Sequence, residues 1–428
     1  MGKNFAPLEE LHESSITMQG LLEGGIASQE LVVLNAFIRG LSTTLEDKIE
    51  KLRNGSPLLG THFAFPSEIF AVFDVVPICF ESLSYIKSAM FAEGTEKYYD
   101  KATAWGHPYH TCSSQKGVMG MALERDYLDI DLIAIPTAPC DNTVASYQWF
   151  SEVKDIPLFV ADMPYYHDER GVNYYAGELK RMIEDLGEFL GQEPDYKRLK
   201  QAISYSSNAI KYQGEINDLR AAKPCPVESM FNPVGACVQN FFAGREEKEI
   251  FYREVLEDAK KKVTNGQFAG GGGLAEEKIR SYWPYMSIFF EIELCEWLER
   301  DLGMSIVSDV FNHFFFDPIP ANASIDEMVR GLALQSMEYP MIRQGETFAN
   351  LFLEDSLFLA QKFQAECAIF TAHIGCKQSL SVIELIREAL REELGIPMLT
   401  LELDIGDKRM TSIETIKKKI SEFTQTLM

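Results

Sequence analysis

DLIAIPTAPC (Asp131–Cys140) and CAIFTAHIGC (Cys367–Cys376) decide the reading of the fold. Each is a short apolar run that reads as a buried strand, and each closes on a cysteine followed by a polar segment. In open α/β sheets, ligands sit outside the carboxyl ends of the strands. A third cysteine, Cys112, lies in WGHPYHTCSSQKG (105–117), a polar segment whose glycines and proline break any helix before GVMGMALERDYLD (117–129) resumes one. None of the three belongs to a CxxC pair, so the placement points to a cofactor at the mouth of a parallel sheet rather than to a zinc finger.

Working outward, LIAIPTAPC and PLFVADMP are strand-like runs separated by SYQWFSEVKD, and GELKRMIEDLGEFLG then supplies an amphipathic helix. Such alternation predicts a mostly parallel sheet. The organisation expected is an N-terminal helical segment over 1–55, a first α/β lobe over 56–200, a helical connecting region over 201–280 and a second α/β lobe over 281–428. Within the first lobe, SPLLGTHFAFPSEIFAVFDVVPICF reads as strand, turn and helix, with Pro66 near a helix start. The glycines from Gly270 to Gly273 lack GxGxxG spacing and a preceding strand, so they read as a loop.

Composition sets the class. The chain has 428 residues, 46% of them apolar, enough for two or three domains with a sizeable core. Its net charge of −24 argues against nucleic acid or an anionic membrane as partner. No apolar run reaches the roughly 18 residues of a membrane span, Asp74 interrupts the best one, and no signal-peptide pattern opens the chain. A cytoplasmic protein is expected, whose eight cysteines are reduced thiols or metal ligands rather than a disulfide framework.

Residue by residue, the site stays open. Cys112, Cys140 and Cys376 also read as ordinary buried thiols. His107, His110 and Cys112 form HxxHxC and His373 precedes Cys376 by three, which allows a zinc-bearing interaction protein, just as a metal-free one is allowed. Cys79 and Cys295 stand in apolar contexts where cysteine packs as a small hydrophobe. Ser113 and Ser114 read as turn serines or sulfur donors, Asp404, Asp407 and Arg409 as a structural salt link, and Tyr282 and Trp283 as core.

Seven segments in order, FAFPSEIFAVFDVVPICFES (63–82), HTCSSQKGVMG (110–120), PTAPCDNTVASYQWF (136–150), DIPLFVADMPYYHD (155–168), EEKIRSYWPYM (276–286), TAHIGCKQS (371–379) and ELGIPMLTLELDIGDKRMTSIETIKKKISEF (393–423), resemble the larger subunit of the 2-hydroxyacyl-CoA dehydratase and benzoyl-CoA reductase family. The resemblance implies two Rossmann-like lobes with parallel sheets plus N-terminal and intervening helices. It also implies that Cys112, Cys140 and Cys376 hold a [4Fe-4S] cluster between the lobes, with one iron left free of protein sulfur.

The chemistry so implied is one-electron reduction of an acyl-CoA to a ketyl radical, followed by loss of a 2-hydroxyl group, or reduction of an aromatic acyl-CoA such as benzoyl-CoA. Plant-type ferredoxins sit near −400 mV, and about 59 mV costs tenfold in a one-electron equilibrium, so added driving force is needed. This chain has no GxxxxGK[ST] loop with which to use ATP. The resemblance therefore implies two partners: a separate ATP-hydrolysing iron–sulfur activator and a smaller homologous iron–sulfur subunit. Cys225, Cys237 and Cys367 open an alternative, a double-cubane [8Fe-9S] reductase of small molecules. Glu366 and Cys367 depart from the Asp-Gly pair frequent in relatives.

Overall fold

The two cysteine-terminated runs become central strands of two different sheets. The computed structural model describes residues 3–24, 31–123, 128–270, 276–346 and 349–427; the glycines at 271–273 lie outside the described residues. Strands β1 (Leu58–Thr61), β2 (Val76–Cys79), β3 (Leu132–Pro136) and β4 (Leu158–Ala161) form one sheet in the order β2-β1-β3-β4. Strands β5 (Ile279–Trp283), β6 (Met304–Asp309), β7 (Cys367–His373) and β8 (Met398–Leu403) form the other, β6-β5-β7-β8. All the ladders are parallel, as the α/β alternation requires.

Strands β3 and β7 are buried at every position, which is why their apolar runs are continuous rather than alternating; β5 is equally buried but carries Arg280 and Ser281, whose side chains bond to backbone carbonyls. The terminal strands β4 and β8 are more open. The two sheets repeat one topology, and each reverses its strand order beside its first strand, between β1 and β3 and between β5 and β7. The crevice at such a switch point, outside the strand carboxyl ends, is where open α/β sheets take ligands.

Helices fill the rest. Ala6–Glu23 and Val32–Arg53 precede the first sheet, and Tyr196–Arg220, Phe231–Phe241 and Glu246–Asn265 lie in sequence between the sheets. Helix Phe231–Phe241 touches both β2 and β6, so it bridges the lobes. Helix Ile325–Met337 opens with a Ser324–Glu327 capping box and packs on Glu169–Leu190. Its Met328 and Leu332 join Leu59, Leu132 and Leu179 in one buried cluster. A segment inserted after β6 thus completes the core of the first lobe.

Candidate functional site

Each of the three cysteines stands just before a helix. Cys140 follows β3 by four residues and caps helix Asp141–Lys154; Cys376 follows β7 by three and caps Lys377–Ser381; Cys112 directly precedes helix Ser113–Leu123. They are half-buried, whereas Cys79, Cys225, Cys237, Cys295 and Cys367 are buried. All three line a single cavity of about 540 Å³. The unpaired N–H groups that open the two longer helices favour negative charge on Cys112 and Cys140. Burial opposes this and pushes both thiols up, so a metal binding there has to displace their protons.

The lobes meet around Cys112. Its sulfur lies 2.8 Å from Ser114 Oγ and 3.4 Å from His373 Nε2. Ser113 donates to the Asp404 carboxylate, which also accepts from the Gly406 and Asp407 amides at 2.9 and 3.0 Å. Two glycines permit the approach. A methyl at Gly375 would stand 2.8 Å from Cys112 Cα, and one at Gly406 would stand 2.7 Å from the Tyr99 hydroxyl. Gln378 beside Cys376 donates to Pro139 O beside Cys140 at 2.8 Å. Asp407 and Arg409 form the expected salt link at 2.7 Å, and Asp404 instead anchors the helix that follows Cys112.

The opposite wall carries titratable groups that the sequence reading does not single out. His62 follows the last residue of β1 and Glu81 follows β2 by two residues; both are buried and line the cavity. His62 Nδ1 accepts from the Ala64 amide at 3.0 Å, so a neutral ring carries its proton on Nε2. That nitrogen is 3.2 Å from Thr143 Oγ1 and 3.3 Å from Glu81 Oε1. Glu81 accepts from the Tyr147 hydroxyl at 3.1 Å, the Phe63 amide at 3.2 Å and the Cys79 thiol at 3.4 Å. Burial holds His62 down at about 3 and Glu81 up at about 7. Thr143 Oγ1 in turn lies 3.6 Å from Cys140 Sγ. The signal that finds these residues is position: each follows the carboxyl end of a parallel strand.

Other expected residues are sorted by the fold. The nitrogens of His107 are engaged by Ser146 Oγ at 2.9 Å and Thr111 Oγ1 at 2.8 Å, so HxxHxC does not converge; His110 lines the cavity. Among the described residues no three His, Cys, Asp or Glu side chains meet as ligands of a single ion. Tyr282 and Trp283 are core residues of β5, bonded to Ser356 and Ser281, while Tyr285 and Met286 just beyond them reach the cavity. Cys237 lines the cavity from helix Phe231–Phe241. Cys367 opens β7, six residues and roughly 20 Å of strand from His373. Cys225 donates to Val227 O, and the fold does not gather Cys225, Cys237 and Cys367 on this cavity.

Two parallel-sheet lobes whose strand ends enclose a thiol-lined cavity define the class of protein. The family model for the 2-hydroxyglutaryl-CoA dehydratase D-component matches residues 62–427, and the chain belongs to that family. It is 21% identical over 291 residues to the alpha subunit of lactoyl-CoA dehydratase from Anaerotignum propionicum, a match covering 66% of this chain and 65% of that protein. It is 20% identical over 307 residues to the alpha subunit of (R)-phenyllactyl-CoA dehydratase from Clostridium sporogenes, covering 68% and 69%. Among the described residues no helix is long and apolar enough to cross a membrane.

Proposed function

We propose that this chain is the catalytic subunit of an acyl-CoA dehydratase that removes water from a 2-hydroxyacyl-CoA by a radical route. Cys112, Cys140 and Cys376 would hold a [4Fe-4S] cluster. A smaller homologous iron–sulfur subunit and a separate ATP-hydrolysing activator complete the system. The observation that carries this reading is the single cavity onto which three half-buried thiols and a buried glutamate open, in a chain of a dehydratase family. Three thiols spread around a cavity, and not gathered at an ion-sized point, suit a polynuclear group better than a single zinc.

When bound, such a cluster supplies electron transfer at low potential and Lewis acidity. The chain supplies the rest. Dehydration moves a proton off carbon and another onto the departing hydroxyl, and Glu81, held at about 7, exchanges a proton near neutrality. Tyr147 donates to Glu81 Oε1 and orients that carboxyl, and His62 Nε2 lies 3.3 Å from the same oxygen. Tyr85, Tyr285, Phe289 and Phe311 give the cavity an aromatic wall that excludes water and accommodates an acyl chain.

The test is anaerobic purification with iron and sulfide counting, for the wild-type chain and Cys140→Ala. About four irons per chain, their loss in the variant, and dehydration of (R)-2-hydroxyacyl-CoA thioesters in the presence of both partners are expected. A full cluster in the variant overturns the ligand assignment, and a wild-type chain without iron overturns the reading.

A further inference from the structure

We infer that His373 is a positioning residue for the cluster: its Nε2–H donates a hydrogen bond to the Cys112 sulfur, holding that ligand in place and raising the cluster's reduction potential. This rests on the reading of Cys112 as a cluster ligand.

His373 is the last residue of β7 and is fully buried. Its Nδ1 accepts from the Ile405 amide at 3.4 Å. A backbone N–H can only donate, so Nδ1 must present its lone pair and the ring proton of a neutral imidazole belongs on Nε2. Asp404 Oδ2 is 3.8 Å from Nδ1, beyond hydrogen-bond range, and Asp404 Oδ1 is already occupied by Ser113 and by the Gly406 and Asp407 amides. The Leu403 backbone carbonyl also stands within reach of the ring as an acceptor, so the placing of the proton on Nε2 rests on the Ile405 amide.

Nε2 lies 3.4 Å from Cys112 Sγ, within range for a bond to sulfur. A cysteine sulfur that ligates a metal has lost its proton and can only accept, so the tautomer imposed from behind by Ile405 is the one that serves it. Gly375 keeps the contact open, because a methyl there would sit 3.0 Å from His373 Nε2 and 2.8 Å from Cys112 Cα. Ser114 Oγ, 2.8 Å from the same sulfur, is the second donor. Neither Cys140, approached by Thr143 Oγ1 at 3.6 Å and by the Asn142 and Thr143 amides, nor Cys376, which meets the Tyr285 hydroxyl, receives an imidazole N–H in the described structure. Among the described residues Cys112 is the sulfur that an imidazole reaches. Donors to a ligating sulfur stabilise the more negative, reduced state, and hydrogen bonds of this kind are among the determinants of iron–sulfur potentials.

The experiment compares wild type, His373→Phe and His373→Gln as full chains purified without oxygen. Iron and sulfide are counted, and the cluster midpoint potential is measured by EPR-monitored titration. The Phe variant keeps the iron of wild type and shifts to a more negative potential, by a factor of about ten in the one-electron equilibrium, or about 59 mV. The Gln variant, whose amide can donate, recovers part of the shift. An unchanged potential at unchanged iron content overturns the inference, whereas an iron-free wild type overturns the cluster reading instead. A second readout needs no cluster and no variant: nitrogen NMR of histidine-labelled, metal-free chain should show His373 as the Nε2–H tautomer. A Nδ1–H tautomer or an imidazolium overturns the inference.

Discussion

Glu81→Gln isolates the cost of burying an acid in the cavity wall. Burial holds the Glu81 carboxyl at about 7, against 4.5 for a free glutamate. At about 1.4 kcal/mol for each factor of ten in acidity, ionising it in the folded chain costs about 3 kcal/mol more than in the unfolded one. The sign follows from proton counts. Between 4.5 and 7 the folded chain keeps a proton that the unfolded chain has released, so this site's contribution to stability falls as pH rises through that window and levels off above it. Gln has the shape of the protonated acid and never ionises: with its oxygen in the Oε2 position it accepts from the Phe63 amide, and its NH2 in the Oε1 position donates to the Tyr147 oxygen, whose hydroxyl turns to Thr61 O. Relative to wild type, the variant should therefore gain about 2 kcal/mol between about pH 5.5 and about pH 8.5. His62, pushed down to about 3, works in the opposite sense, gaining stability as pH rises through its unfolded value, but it does so in both chains and cancels in the comparison. The other titratable groups facing Glu81, Cys79 and Tyr147, are raised by burial and keep their protons throughout. Urea unfolding of both chains at the two pH values, followed by tryptophan fluorescence, measures the gap. A gap that stays constant with pH would show Glu81 ionising as an ordinary exposed carboxylate and would sink the proton-exchange role given to it.

Gly375→Ala forces a methyl to within 2.8 Å of the Cys112 backbone, so it should cost about 1–3 kcal/mol of stability and reduce iron loading; denaturation and iron counts check both, and a neutral effect means the two cysteine loops are not in contact. Cys237→Ala tests whether the fourth cysteine of the cavity is a ligand. Iron and sulfide equal to wild type are expected for a three-cysteine site, and a fall in iron would favour the larger cluster.

The lobes were legible because their central strands carry the period-free apolar runs of sheets covered on both faces, and because a cysteine marks the carboxyl end of two of them. DLIAIPTAPC and CAIFTAHIGC each became a strand followed by a cysteine-capped helix. His62 and Glu81 were harder to see. Nothing in HFAFPSEIF or PICFES sets one His or Glu apart; their meaning comes from β1 and β2 ending side by side, with Thr61 in register with Cys79. That His373 reaches the Cys112 sulfur in particular was not legible, for a different reason. The contact joins residues 261 positions apart, and its direction depends on which nitrogen Ile405 occupies. Spacing in the sequence offered HxxHxC as the histidine motif, but local hydroxyls from Ser146 and Thr111 claim His107 before any metal could.

The division of the cysteines between the lobes carries a consequence for how the site forms. Cys112 and Cys140 belong to the first lobe and Cys376 to the second, so no lobe alone contains the set. The cross-lobe ties nearest the cysteines are Ser113 to Asp404, Ser88 to Gly406 O at 2.9 Å, Gln378 to Pro139 O at 2.8 Å, and the close approach at Gly375 and Gly406. Each polar tie is worth about 1 kcal/mol net, and the buried ones cost more than that when one partner is left unsatisfied. Losing any one shifts the lobes without unfolding either sheet, because each sheet keeps its own ladders and the apolar cluster that both sheets share. Substitutions along this seam should therefore change the spacing of the sulfurs before they change the fold, and would show in metal loading and potential at stabilities where the strands remain intact.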